Sequence, residues 1–195
     1  MLTRRSLIAA LPALALAPAA RGQGWVDRLT RAADGQIGRT VTYDPAYVRL
    51  DYPGGDVPAD RGVCTDVIIR AYREGLGVDL QKLVHEDMSR AFAAYPRTWG
   101  LARPDRNIDH RRVPNLETFL ARRGAALPPG TPVRPGDLVT QRLPGNLPHI
   151  LLMDSAIAAQ GRPMAIHNVG AGTRREDVLN AWTRVGHFRW AGTTA

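Results

Sequence analysis

One cysteine, Cys64, and one lysine, Lys82, stand in this chain of 195 residues, and aromatic residues make up only 6% of it. A lone cysteine cannot close an internal disulfide, so a disulfide-stapled fold is excluded and Cys64 has no structural partner of its own kind. Metal signatures are equally scarce. There is no CxxC and no HExxH, and His85-Glu86-Asp87-Met88-Ser89 lacks the second histidine. A glycine-rich phosphate loop and a dinucleotide fingerprint are both missing, so no cofactor is implied. Internal repeats, low-complexity tracts and composition shifts are absent, which argues for one domain with a real core.

The single long apolar run lies at the start. Arg4 and Arg5 precede the apolar stretch from Leu7 to Ala17, and Ala17-Pro18-Ala19 supplies small residues for cleavage. That order predicts a signal peptide over residues 1–22, cleaved near 19–22, and a single domain over 23–195. The run is too short for a permanent span, which needs about 20 residues. Thr3-Arg4-Arg5-Ser6-Leu7-Ile8 also resembles a twin-arginine signal. A periplasmic or secreted protein follows, with no stable membrane span after cleavage. The net charge is +8, carried almost wholly by arginine, and favours an anionic partner. Nucleic acid fits poorly, because no recognition motif or basic helix with interleaved aromatics is present. Carboxylate-bearing cell-wall peptides or another anionic envelope substrate suit an exported basic protein better.

Helical periodicity dominates the first two thirds. Val26, Leu29, Ala33 and Ile37 share a face, with Gly38 as a stop. A proline- and glycine-rich loop, residues 53–58, leads to Cys64, from which Val67, Ile68, Ala71 and Tyr72 form an apolar stripe ended by Gly75 and Gly77. Asp79 is placed to cap a further helix through Phe92. A polar, proline-bounded loop between Pro96 and Pro114 precedes a short helix from Asn115 to Gly124. The last third carries short strand-like runs at 137–140, 149–153, 164–167 and 185–190, and Thr173 with Glu176 reads as a capping box for a short helix. Helices followed by an antiparallel meander predict an α+β domain.

Cys64 opens its helix, where unpaired N–H groups and the dipole favour a thiolate, while Asp66 is expected to point away from the sulfur. A nucleophilic sulfur needs a base. His149 and His167 stand at strand ends; a hairpin that opposes them directly closes through a five- to seven-residue loop and projects both imidazoles from one face. His149 is then the proton acceptor, His167 its orienting partner, and the Cys64 N–H an oxyanion donor. A zinc site on the same three residues is the chief competing chemistry. His85 falls on a polar helix face, His187 reads as structural, and His110 is a candidate substrate contact.

The ordered blocks 63–72, Arg134-Pro135-Gly136-Asp137-Leu138-Val139, Pro148-His149-Ile150 and Ile166-His167 resemble the NlpC-type cell-wall cysteine peptidases, a papain-like superfamily. More closely, PGGDVPADRGVCTDV and RPDRNIDHRRVPNL are similar to an uncharacterised family of bacterial exported proteins within it, over about Gln36 to Trp190. The resemblance implies a papain-like NlpC-type fold, N-terminal helices packed on a small antiparallel sheet, acting on peptidoglycan peptide bonds. It carries the nucleophile to Cys64, the base to His149, the orienting residue to His167 and a substrate-side tyrosine to Tyr52. Val63-Cys64-Thr65-Asp66 departs from the usual Asp-Cys-Ser-Gly surroundings, and an inserted charged loop brings Asp109, His110 and Arg111 as further candidate substrate contacts. A catalytically silent cell-wall binding module and an acyl or amide transferase are the alternative activities for the same cleft.

Overall fold

The computed structural model describes residues 20–193. The predicted signal segment through Ala19, with its cleavage motif, lies outside the described residues. Residues 20–22, assigned above to the same leader, open the first helix, α1 (Ala20–Asp34). It packs against α2 (Cys64–Leu76) at close range: a Cβ on Gly75 would meet the Arg28 carbonyl oxygen at 2.7 Å, so the crossing requires glycine there. α3 (Leu80–Ala91), started by Asp79 accepting from the Lys82 N–H, and α4 (Val113–Arg122) complete the helical layer.

α2 is the organising element. Asp66 accepts the Val63 N–H at 2.7 Å and so satisfies one orphan donor of the first turn. At the other end Gly77 turns left-handed at φ 68°, its N–H returning to Arg73 while the Val78 N–H returns to Tyr72. The buried face of the helix runs Val67, Ile68, Ala71 and Tyr72. Tyr72 stacks on Trp190 and donates its hydroxyl to the Trp190 carbonyl at 2.8 Å, tying α2 to the segment that follows the last strand.

Ahead of α2, β1 (Thr42–Tyr43) and β2 (Arg61–Gly62) form a short parallel pair. A Cβ on Gly62 would lie 2.9 Å from Asp66 Oδ2, so only glycine lets this strand pass the helix tip. The main sheet is antiparallel throughout and contains β3 (Leu138–Leu143), β4 (Leu147–Ile157), β5 (Pro163–Asn168), β6 (Thr173–Glu176) and β7 (Thr183–Phe188), in the order β6-β5-β4-β3-β7. Alternation sorts its side chains. Leu138, Ile150, Leu152 and Ile166 join the helical core, whereas Val139, Leu151, Met153 and Ala165 pack under the 133 and 178–179 segments. The α+β architecture matches the expectation.

Two local expectations are corrected. Thr173–Glu176 does not cap a helix: its backbone pairs with β5 as the sheet's edge strand, a ladder that the short segment could not have formed as a helical turn. The β4–β5 hairpin closes through residues 158–162, but it pairs Leu152 with Ile166 and Met153 with Ala165. His149 and His167 are therefore diagonal rather than directly opposed. A slip of two residues preserves the face on which each side chain lies.

Candidate active site

Cys64 is the first residue of α2, 5% exposed, on the wall of a cleft of about 190 Å³ that also meets Tyr43, Trp99, Arg112, Pro114 and Pro148. The strand β1 delivers Tyr43 and the start of β4 delivers Pro148. Burial pushes the Cys64 thiol up to about 11, with Asp66 adding to the rise; the backbone N–H groups of Ile150, Thr65 and Cys64 pull the other way. The expected thiolate-favouring helix tip is thus outweighed by desolvation, and at neutral pH the resting group is a thiol. The Ile150 N–H that serves the sulfur belongs to the residue after His149.

His149 Nε2 and His167 Nδ1 stand 2.9 Å apart in a hydrogen bond, with ring planes at 70°. Both rings lie on the sheet face of Leu151, Met153 and Ala165, and Trp182 packs edge-on against each. The segment before Trp182 is anchored by Gln141 donating to the Val178 and Leu179 carbonyls. His167 is fully buried and its Nε2 meets Glu176 Oε2 at 2.9 Å. Burial pushes His149 down to about 3, with His167 as a lesser cause, and lowers His167 while Glu176 opposes that shift. Both rings are neutral at pH 7. Among the described residues no hydrogen bond joins Cys64 Sγ to either ring: Cys64 packs with Ile150 and Leu152 on the helical face of the sheet, the two imidazoles lie on the opposite face, and neither ring lines the Cys64 cleft, so the predicted nucleophile and base are not brought together.

Of the remaining candidates only Arg111 borders the Cys64 cleft. Tyr52 lies edge-on to His85 at 5.2 Å beneath the Arg106 guanidinium and does not line the Cys64 cleft; the tyrosine there is Tyr43. His85 is half-buried rather than solvated. Asp109 and His110 are 1% and 2% exposed on a single 3-10 turn, so neither side chain is presented to a ligand. Burial raises Asp109 to about 6 and lowers His110 to about 3. Arg111 faces inward as well. It grips Asp66 through two bonds of 2.9 and 3.0 Å and donates to the Asp44 and Ala46 carbonyls. Asp66 accordingly does not turn out to solvent but holds the loop to the helix tip. His187 Nε2 donates to buried Asp137 Oδ2 at 2.7 Å, a structural contact as expected.

Sequence reasoning missed Glu176, Tyr43 and Trp182. Glu176 had a legible signal. With residues 173–176 as a strand paired to β5, His167 faces Arg174 and Glu176 is its diagonal same-face neighbour. Among the described residues no group of three or more histidine, cysteine, aspartate or glutamate side chains is arranged to hold a metal ion, and no helix is long and apolar enough to cross a membrane. A groove of about 810 Å³ between the 126–133 loop and β7 contains none of the candidate residues.

Comparison with known proteins adds three likenesses. A family described as a domain of unknown function, DUF1287, matches residues 30–190. The uncharacterized protein YijF of Escherichia coli K12 is 56% identical over 164 residues, covering 81% of this chain and 80% of that protein. The structure of NlpC1 from Trichomonas vaginalis aligns with a TM-score of 0.43 at 14% identity, over 84% of this chain and 44% of that one, so the chain spans less than half of its length.

Proposed function

The chain belongs to the DUF1287 family, and from its site we propose a cysteine-dependent amide hydrolase of the cell envelope acting on peptidoglycan peptides. The observation that carries this reading is the hydrogen-bonded His149–His167 pair, which begins one residue from the Ile150 N–H serving the only cysteine. The predicted export signal, the net charge of +8 and the resemblance of the sequence blocks to NlpC-type peptidases support the substrate class.

This reading requires the start of β4 to turn His149 from the far face of the sheet into the cleft, where it takes the Cys64 proton as the sulfur bonds to the scissile carbonyl carbon. The carbonyl electron pair moves onto oxygen, where the first N–H groups of α2 can stabilise it. Collapse breaks the C–N bond, the imidazolium returns its proton to the leaving amine, and a thioester remains on Cys64. Water, deprotonated by His149, attacks the thioester and restores the thiol. Because both partners are neutral at rest, proton transfer accompanies attack instead of preceding it. His167 serves as the orienting residue. Digestion of purified peptidoglycan with mass analysis of released fragments tests this: Cys64→Ala and His149→Ala should abolish release, and unchanged release by either rejects the proposal.

One observation favours a second reading. A thiol pushed up to about 11 by burial is a poor resting nucleophile, which suits a catalytically silent cell-wall binding module. Retention of peptidoglycan in a pull-down without any fragment release by the wild type would favour that module.

A further inference from the structure

We infer that Glu176 is a positioning residue that selects which nitrogen of His149 carries the proton. The inference rests on the hydrolase reading for its catalytic consequence but not for its geometry. Taken alone, the N···N contact between His149 Nε2 and His167 Nδ1 is degenerate, since one hydrogen satisfies it from either side. If His167 donates, neutral His149 keeps its hydrogen on Nδ1 and has no free lone pair on the nitrogen left over. If His149 donates, that Nδ1 is bare and can accept a proton. The two directions differ by one proton position and decide whether His149 can act as a base.

Glu176 breaks the tie. A carboxylate offers acceptors only, so the 2.9 Å contact to His167 Nε2 is made with the hydrogen on Nε2. Neutral His167 then has a bare Nδ1, which accepts from His149 Nε2–H, and the remaining lone pair is on His149 Nδ1. Direction runs one way through the chain: His149 donates to His167, which donates to Glu176. The surroundings favour this polarity. Trp182 covers both rings, and His167 is closed to solvent, so water does not compete for these nitrogens. Glu176 enters from β6 at the sheet's edge with its side chain 37% exposed, so its removal exposes no buried charge of its own.

The test is long-range proton–nitrogen NMR of the histidine rings in the full chain at pH 7. Wild type should show His149 and His167 each protonated on Nε2 and bare on Nδ1. Glu176→Ala should move a substantial fraction of His149 to the Nδ1-protonated form. Glu176→Gln, whose amide can accept or donate, should fall between the two, and thermal unfolding should confirm that both variants fold. A wild type protonated on His149 Nδ1, or spectra unchanged in Glu176→Ala, would overturn the inference. On muropeptides, Glu176→Ala should lower kcat about 10- to 100-fold with KM unchanged, less than the factor of about 10²–10⁴ attributed to a well-placed general base, because the base itself remains. A wild type without hydrolytic activity would defeat the proposed function, whereas the spectra alone would still decide the role of Glu176.

Discussion

Replacing Arg111 with methionine removes the cation that holds Asp66. The two side chains are 2% and 3% exposed, and their bidentate contact is supported by Arg111 donors to the Asp44 and Ala46 carbonyls and by Thr65 Oγ1 donating to the Arg111 carbonyl. Breaking a buried pair leaves an uncompensated carboxylate, a loss of about 3–5 kcal/mol. For a domain of this size each kcal/mol moves Tm by about 2–4 °C, so a fall of about 6–20 °C is expected. Urea and thermal unfolding measure it. The double variant Asp66→Asn, Arg111→Met should recover most of the loss, because the carboxylate goes with its partner while an amide oxygen still accepts the Val63 N–H. A substrate contact at the surface would behave differently, changing stability by less than about 0.5 kcal/mol. A loss below about 1 kcal/mol for Arg111→Met, or no recovery in the double variant, would refute the placement of this pair at the base of the cleft.

Other expectations concern protons and the base. Alkylation of Cys64 by iodoacetamide in the resting protein should be slow at pH 7 and climb as pH rises toward about 11, where the thiolate forms; fast labelling at neutral pH would contradict the buried thiol. The same shift acts on stability: the raised thiol contributes below the unfolded value near 9 and its contribution is lost as pH rises toward 11, so Cys64→Ser should unfold with a shallower alkaline slope. His110 is depressed, so the fold loses stability as pH falls from about 6.5 toward 3, where the unfolded chain takes the proton first. His110→Gln should flatten that acid slope in pH-dependent urea midpoints. His167→Ala should lower hydrolysis less than His149→Ala, since an orienting group is not itself the proton acceptor; equal losses in kcat would place His167 in the proton transfer itself.

Much of the architecture was legible because local rules agreed. The α2 stripe, the Asp79 cap and the glycine stop at Gly77 are each dictated within a turn, and each is found. The partnership of His149 and His167 was legible from strand parity, which survives a two-residue error in register. Absolute register was not, because it depends on the irregularity between Met153 and Ile157. Thr173–Glu176 was misread since serine- or threonine-to-glutamate spacing serves helix caps and edge strands alike, and only a neighbouring strand decides. The charged loop misled for a related reason. Its sequence reads as solvated, but Asp109 and Arg111 are turned inward by partners 4 and 45 residues distant in the chain, Asp105 and Asp66. The raised thiol likewise depends on β1 and the loop carrying Trp99 closing over the helix tip, contacts between segments that no local pattern encodes.

The proposed hydrolysis turns on a covalent step at one sulfur. Acid-quenched intact-mass and peptide-mapping measurements on protein mixed with muropeptides should find an acyl group in thioester linkage on Cys64, decaying as product appears and more persistent in His149→Ala if any forms. Fragment release with Cys64 never acylated, or release retained by Cys64→Ala, would contradict it.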